Sequence, residues 1–134
     1  MKTKILFVCS GNAYRSPLAE AILKKLRPDL EVDSAGLRVV IPVSRQVRKY
    51  LAKQNAAQYL KNAPQSIGEK KLEDYDLIVA MEHMHTEAVL SVCPECKTRI
   101  VEWNIEDPYF MEQEDAENIY VHIENKVEEL AKSL

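Results

Sequence analysis

Ile5-Leu6-Phe7-Val8-Cys9-Ser10-Gly11-Asn12-Ala13-Tyr14-Arg15-Ser16-Pro17 is the stretch on which the fold turns. Ile5 to Val8 is an unbroken apolar run, which reads as a short strand buried on both faces; a half-buried strand would alternate. A polar loop follows at once. Ser16-Pro17 then reads as a helix start, because serine caps a first turn and proline is tolerated within it. Leu18, Ala21, Ile22 and Leu26 recur at helical spacing until Pro28 stops the run.

The same alternation continues outward. Val32 to Ala35 reads as a second strand ended by Gly36. Pro42 precedes a helix with Val47, Tyr50 and Leu51 on one face. Ser66-Ile67-Gly68-Glu69 resembles a capping box that starts a short helix towards Leu72. Asp76 to Ala80 reads as a third buried strand, followed by a helix from about His83 to Val92. Thr98 to Val101 reads as a weak fourth strand. Ala116, Ile119, Tyr120, Ile123, Val127 and Leu130 mark a long amphipathic helix from Glu114 onward. Strands alternating with helices imply parallel pairing through right-handed crossovers. The expected fold is therefore α/β, one domain over residues 1–134, with a four-stranded parallel sheet and helices on both faces. Sites in such sheets lie beyond the carboxyl ends of the strands, where Cys9 falls.

The chain has 134 residues, 46% of them hydrophobic and 29% charged, which suits a soluble domain with one core. Its formal net charge of -3 carries no basic footprint, so nucleic acid is not an expected partner. No apolar run is long enough to span a bilayer, and Ile5–Val8 is too short for a signal-peptide core, so a cytoplasmic location without membrane contact is expected. Three cysteines are too few for a secreted disulfide framework. The sequence fixes no oligomeric state.

Cys9 to Ser16 carries the chemistry. A tight loop between a strand and a helix can turn its backbone N–H groups inward, and the helix N-terminus adds more. A tetrahedral oxyanion suits such a cradle. Arg15 brings a planar fork that can hold two phosphoryl oxygens. This positive setting favours Cys9 as a thiolate, and a thiolate facing a phosphoryl group is a nucleophile. Gly11 suits close backbone approach or a positive φ, and Asn12 tolerates the left-handed region while its amide ties the loop together. Ser16 can donate its hydroxyl to the Cys9 sulfur. The expected substrate contacts are Ser10, Gly11, Asn12, Ala13, Tyr14, Arg15 and Ser16.

Cys9-Ser10-Gly11-Asn12-Ala13-Tyr14-Arg15-Ser16-Pro17 resembles the signature loop of the low-molecular-weight protein tyrosine phosphatases. Asp33-Ser34-Ala35-Gly36 is similar to that family's second-strand motif, Tyr75 to Glu82 to its third strand, and Glu106-Asp107-Pro108-Tyr109-Phe110 to its general-acid loop. The resemblance implies hydrolysis of a phosphomonoester in two steps. Cys9 forms a phosphocysteine while Asp107 protonates the leaving oxygen; Asp107 then takes a proton from the attacking water. It implies that Ser34 supports Asn12, and that Tyr109 and Phe110 wall a cleft for the aryl ring. The implied substrate is a phosphotyrosine protein or a small aryl phosphate, with no cofactor and no metal.

The chain departs from the family pattern in places. Tyr14 stands where many relatives have a second loop cysteine, so Cys9 lacks a local disulfide partner. Leu37-Arg38-Val39-Val40-Ile41 is aliphatic where an aromatic or bulky residue is common, so one cleft wall is expected to be missing. Ala13 replaces the threonine of arginine-directed relatives. Lys61 to Gln65 lacks the histidine and arginine often found there.

Other readings of the residues stay open. Cys93-Pro94-Glu95-Cys96 could be redox-active or half of a zinc site, but with no second C-x-x-C the expected state is two reduced thiols in a turn. His83, His85 and His122 read as solvated helix residues. Thiol-coupled arsenate reduction on the same fold would need a cysteine near Met81-Glu82-His83-Met84, and Cys93 lies about ten residues on, roughly 15 Å away. A phosphocysteine carrier would need no general acid, and an anion-binding regulatory module would show no turnover.

Overall fold

The computed structural model describes residues 2–134. Four strands form one sheet: β1 (Lys4–Cys9), β2 (Glu31–Gly36), β3 (Leu77–Ala80) and β4 (Ile100–Glu102). They lie in the order β2-β1-β3-β4, and every pairing is parallel. The helices are α1 (Arg15–Leu26), α2 (Arg45–Lys53), α3 (His83–Val92) and α4 (Gln113–Ser133).

β1 is apolar throughout because it is central, and alternation then sends its side chains to two cores. Ile5, Phe7 and Cys9 join residues of α1, α2 and α4 on one face. Leu6 and Val8 pack with Ile78, Val89 and Cys96 on the other, beneath α3. The chain leaves β1 for β2 on one side and reaches β3 on the other. The crevice at that reversal opens between the carboxyl ends of β1 and β3, and ligands bind at such points.

Several expectations are corrected. Ser16 is not the cap of α1: the helix starts at Arg15, its N-cap position is Tyr14, and no side chain caps it. Ser16 is turned instead onto the loop. α2 does receive a cap, from Ser44, whose hydroxyl accepts from the N–H groups of Gln46 and Val47. The segment after Ser66 is not one helix. The Ser66 N–H bonds the Glu69 carboxylate at 2.9 Å, but extended Lys70 splits the segment into two single 3-10 turns, Ile67–Glu69 and Leu72–Asp74. β4 lies slightly later than expected, because a 3-10 turn occupies Pro94–Arg99.

Cys93 and Cys96 are not reduced thiols: they are joined as a disulfide. Pro94 opens the 3-10 turn, the Cys96 N–H bonds the Cys93 carbonyl at 3.0 Å, and the Cα atoms come within 5.4 Å, inside bridging range. No helix among the described residues is long and apolar enough to cross a membrane.

Candidate active site

The loop between β1 and α1 closes over the end of the sheet. Its carbonyls are tied outward: Cys9 O accepts from Leu37 N–H, Ser10 O from Arg38 N–H and Ala13 O from Ser44 N–H, at 3.2, 2.9 and 2.9 Å. Among the described residues, no protein acceptor takes the N–H groups of Gly11, Asn12, Ala13 or Tyr14. Carbonyls out and N–H groups free, above an uncapped helix N-terminus, make a concavity for an anion.

Asn12 carries the backbone strain of this turn, with φ 55; of the two conditions that suit a glycine at position 11, a positive φ is not met. The strain is held by full use of the Asn12 amide. Its Nδ2 donates to Ser16 Oγ and Ser34 Oγ at 2.8 and 2.9 Å, and its Oδ1 accepts from Lys61 Nζ and Gln65 N–H, both at 2.8 Å. The Ser34 hydroxyl donates a hydrogen bond to the Glu20 carboxylate beneath. Burial lowers the Lys61 ammonium from its ordinary value, countered in part by the Glu20 and Asp33 carboxylates. Ser16 accepts from Asn12, so its hydroxyl proton is free for Cys9 Sγ, 2.9 Å away.

Arg15 is buried and gripped from behind. Its Nη1 donates to Glu82 Oε1, at the end of β3, and to the Ile105 carbonyl at 2.7 Å. Its Nη2 lies 3.4 Å from Ser10 Oγ and 3.5 Å from Asp107 Oδ2. Asp107 is half-exposed, and its Oδ1 accepts the Tyr109 N–H at 3.0 Å, which pins the carboxylate on its own turn.

These groups surround a cavity of about 440 Å³ lined by Cys9, Ser10, Gly11, Ala13, Tyr14, Arg15, Asp107 and Tyr109, and also by Leu37, Arg38, Val40 and Ile41. The aliphatic segment therefore does supply a wall. Three of the residues expected at the substrate do not line the cavity with their side chains. Asn12 and Ser16 are fully buried behind the loop, and their side chains serve its shape. Phe110 is 94% exposed and stands outside the lining, edge-on to Tyr109 at 4.6 Å between centroids. Tyr14 and Tyr109 meet edge to face at 6.1 Å, forming the aromatic side of the cleft.

Sequence reasoning gave no role to Lys61, Glu20, Gln65, Glu82 or His85. Glu82 and His85 sit just past the carboxyl end of β3, and that position was a usable signal. Lys61 and Glu20 offered none, because only folding brings them together. His85 is not solvated: it is fully buried, with Nε2 2.9 Å from Ser10 Oγ. Its pKa is pushed down to about 4 by burial and by the nearby Arg15 cation. His83 does face solvent and bonds Glu102.

A parallel sheet with a cysteine–arginine oxyanion loop after its first strand, and an aspartate facing that loop, defines the class of phosphatases that work through a cysteine. Comparison with known proteins narrows it. The chain matches, over residues 4–134, the model of the low molecular weight phosphotyrosine protein phosphatase family, and it belongs to that family. It is 32% identical to the low molecular weight protein-tyrosine-phosphatase Wzb of Salmonella typhi, over 100% of this chain and 95% of that protein. It is 32% identical to Etp of Escherichia coli K12, covering 97% and 93%. Among solved structures, Vibrio vulnificus Wzb in complex with benzylphosphonate superposes with a TM-score of 0.86 at 30% identity, with both chains fully covered.

Proposed function

We propose that this chain is a protein-tyrosine phosphatase that acts through a phosphocysteine on Cys9. The observation that carries this reading is the meeting of Cys9, Arg15 and Asp107 at one cavity, above the free N–H groups of the loop. Cys9 Sγ attacks phosphorus; the S–P bond forms as the P–O bond to the substrate breaks. Asp107 gives its proton to the leaving oxygen. Water then attacks the phosphocysteine, Asp107 accepts its proton, the S–P bond breaks and inorganic phosphate leaves. Arg15 and the loop N–H groups hold the equatorial oxygens through both steps, a matter of position and electrostatics. Ser16 stabilises the departing thiolate.

The substrate class follows from the walls. Leu37, Val40 and Ile41 line the cavity together with Tyr14 and Tyr109, an apolar and aromatic lining that suits the flat ring of phosphotyrosine or another aryl phosphate. The relatives named as tyrosine phosphatases, one of them with benzylphosphonate, point the same way. The reading needs Cys9 reduced, which suits the cytoplasm, where the Cys93–Cys96 bridge would be an exception, and it takes residues 1–134 as one domain.

Hydrolysis of para-nitrophenyl phosphate at mildly acidic pH tests the reading. Wild type turns over, Cys9→Ser is inactive, and Asp107→Asn is slowed by roughly 10²- to 10⁴-fold, the usual contribution of a general acid. An inert wild type, or an Asp107→Asn protein as fast as wild type, defeats it.

A further inference from the structure

We propose that His85 is a positioning residue that holds the Ser10 hydroxyl as a hydrogen-bond donor to the phosphoryl group. This rests on the phosphatase reading and adds to it a donor that is neither the arginine nor the loop backbone.

Hydrogen-bond direction decides the assignment. The Glu82 backbone N–H points at His85 Nδ1, 2.9 Å away. A backbone N–H can only donate, so Nδ1 presents its lone pair, and the neutral ring carries its proton on Nε2. Nε2 lies 2.9 Å from Ser10 Oγ and therefore donates to it. Arg15 Nη2, also only a donor, faces the same oxygen at 3.4 Å. A hydroxyl has two lone pairs and one proton. With donors facing its lone pairs, Ser10 has only its proton left to offer, and no acceptor among the described residues takes it. Ser10 lines the cavity beside Cys9 and Arg15, so an oxyanion bound there is the acceptor.

His85 itself is not placed for proton transfer to substrate. It is fully buried, one ring nitrogen is engaged by Glu82 N–H, and the other is behind Ser10. Charging the ring would set a second N–H against that of Glu82. The charged groups around it are Arg15, Glu82 and Asp107; burial, followed by Arg15, outweighs the two carboxylates and keeps the imidazole neutral above about pH 4. The Ser10 donor is therefore present across the working range.

The test is a double-mutant cycle on Ser10→Ala and His85→Phe, read twice: as the inhibition constant for inorganic phosphate during aryl phosphate hydrolysis, and as calorimetric phosphate binding to the Cys9→Ser protein carrying the same changes. A hydrogen bond to a charged group supports an expected loss of phosphate affinity of roughly ten- to a hundredfold for Ser10→Ala. His85→Phe produces a comparable loss when Ser10 is present and little further loss in the Ser10→Ala background. His85→Gln, which retains an N–H donor at the same reach, recovers part of the affinity. Full-size losses from His85→Phe in both backgrounds, or unchanged affinity in Ser10→Ala, overturn the proposal. Should His85→Phe not fold, nitrogen NMR of the wild-type imidazole decides: a proton on Nε2 supports the assignment and one on Nδ1 overturns it. The calorimetric arm needs no turnover. An inert wild type that binds phosphate in a Ser10-dependent way would therefore defeat the phosphatase reading alone.

Discussion

Lys61 Nζ lies 2.8 Å from Asn12 Oδ1, so an ammonium from a segment without helix or strand holds the one strained residue of the catalytic loop. The same ammonium bonds the Ser34 carbonyl at 2.9 Å and Gln65 Oε1 at 3.2 Å, joining β2 to the loop. Lys61→Met keeps the bulk and removes these bonds. The expected cost is about 1.5–3 kcal/mol, the range for a bond to a charged donor. Activity should fall with it, because Asn12 relaxes from φ 55. Urea unfolding and kcat/KM on the same protein check both; an unchanged midpoint would show that Gln65 N–H alone suffices.

Gly36 is required by space. A Cβ there would lie 2.7 Å from Asn12 N and 2.8 Å from both Gly11 C and Ser10 O, all of them backbone atoms that cannot swing aside. Gly36→Ala should cost roughly 1–3 kcal/mol, as overpacking does. It should also displace the N–H groups that receive phosphate, raising the phosphate inhibition constant. Wild-type phosphate affinity in Gly36→Ala would mean that β2 and the loop move apart without loss.

The buried neutral His85 makes stability depend on pH with a defined sign. Its pKa is about 4 when folded, against 6.5 for the free side chain, so between those values the unfolded chain binds more protons. Stability is fully present above pH 6.5 and is lost as pH falls towards 4. This loss is on the order of 3 kcal/mol. In His85→Gln that part of the slope should vanish, leaving only the carboxylate contribution. Urea unfolding of both proteins at pH 7, 5.5 and 4.5 measures the difference; parallel slopes would contradict it.

Cys9 is the free cysteine, and Tyr14, not a thiol, is its neighbour in the loop. Cys93 and Cys96 are already joined to each other beyond the far end of α3. Peroxide should therefore carry Cys9 past sulfenic acid to sulfinic acid without capture as a disulfide. Thiol reductant should then restore little activity, and intact-mass measurement should show the sulfinic product. Full recovery of activity with reductant would rule this out.

The legible parts of the molecule were the local ones. The run Ile5–Val8, the helical spacing from Leu18 and the Cys9–Arg15 interval are set within a few residues by burial and backbone geometry, so strand, loop and helix could be read in order. That pattern, with Asp107-Pro108 read through a family resemblance, was enough for the fold class and for the chemistry of the site. The Ser16–Cys9 contact was legible because both residues lie in one short loop, although Ser16 does not also cap the helix. The Cys93–Cys96 bridge is equally local, and only the conformation of the intervening turn decides it. The burial of His85 was not legible, because it faces Ser10 only through the pairing of β1 with β3. Lys61 reaches Asn12 across 49 residues, and Arg15 reaches the Ile105 carbonyl across 90. Partners at such separations are brought together by the closing of the core, whose energy comes from burial and is indifferent to which polar groups meet at its edge.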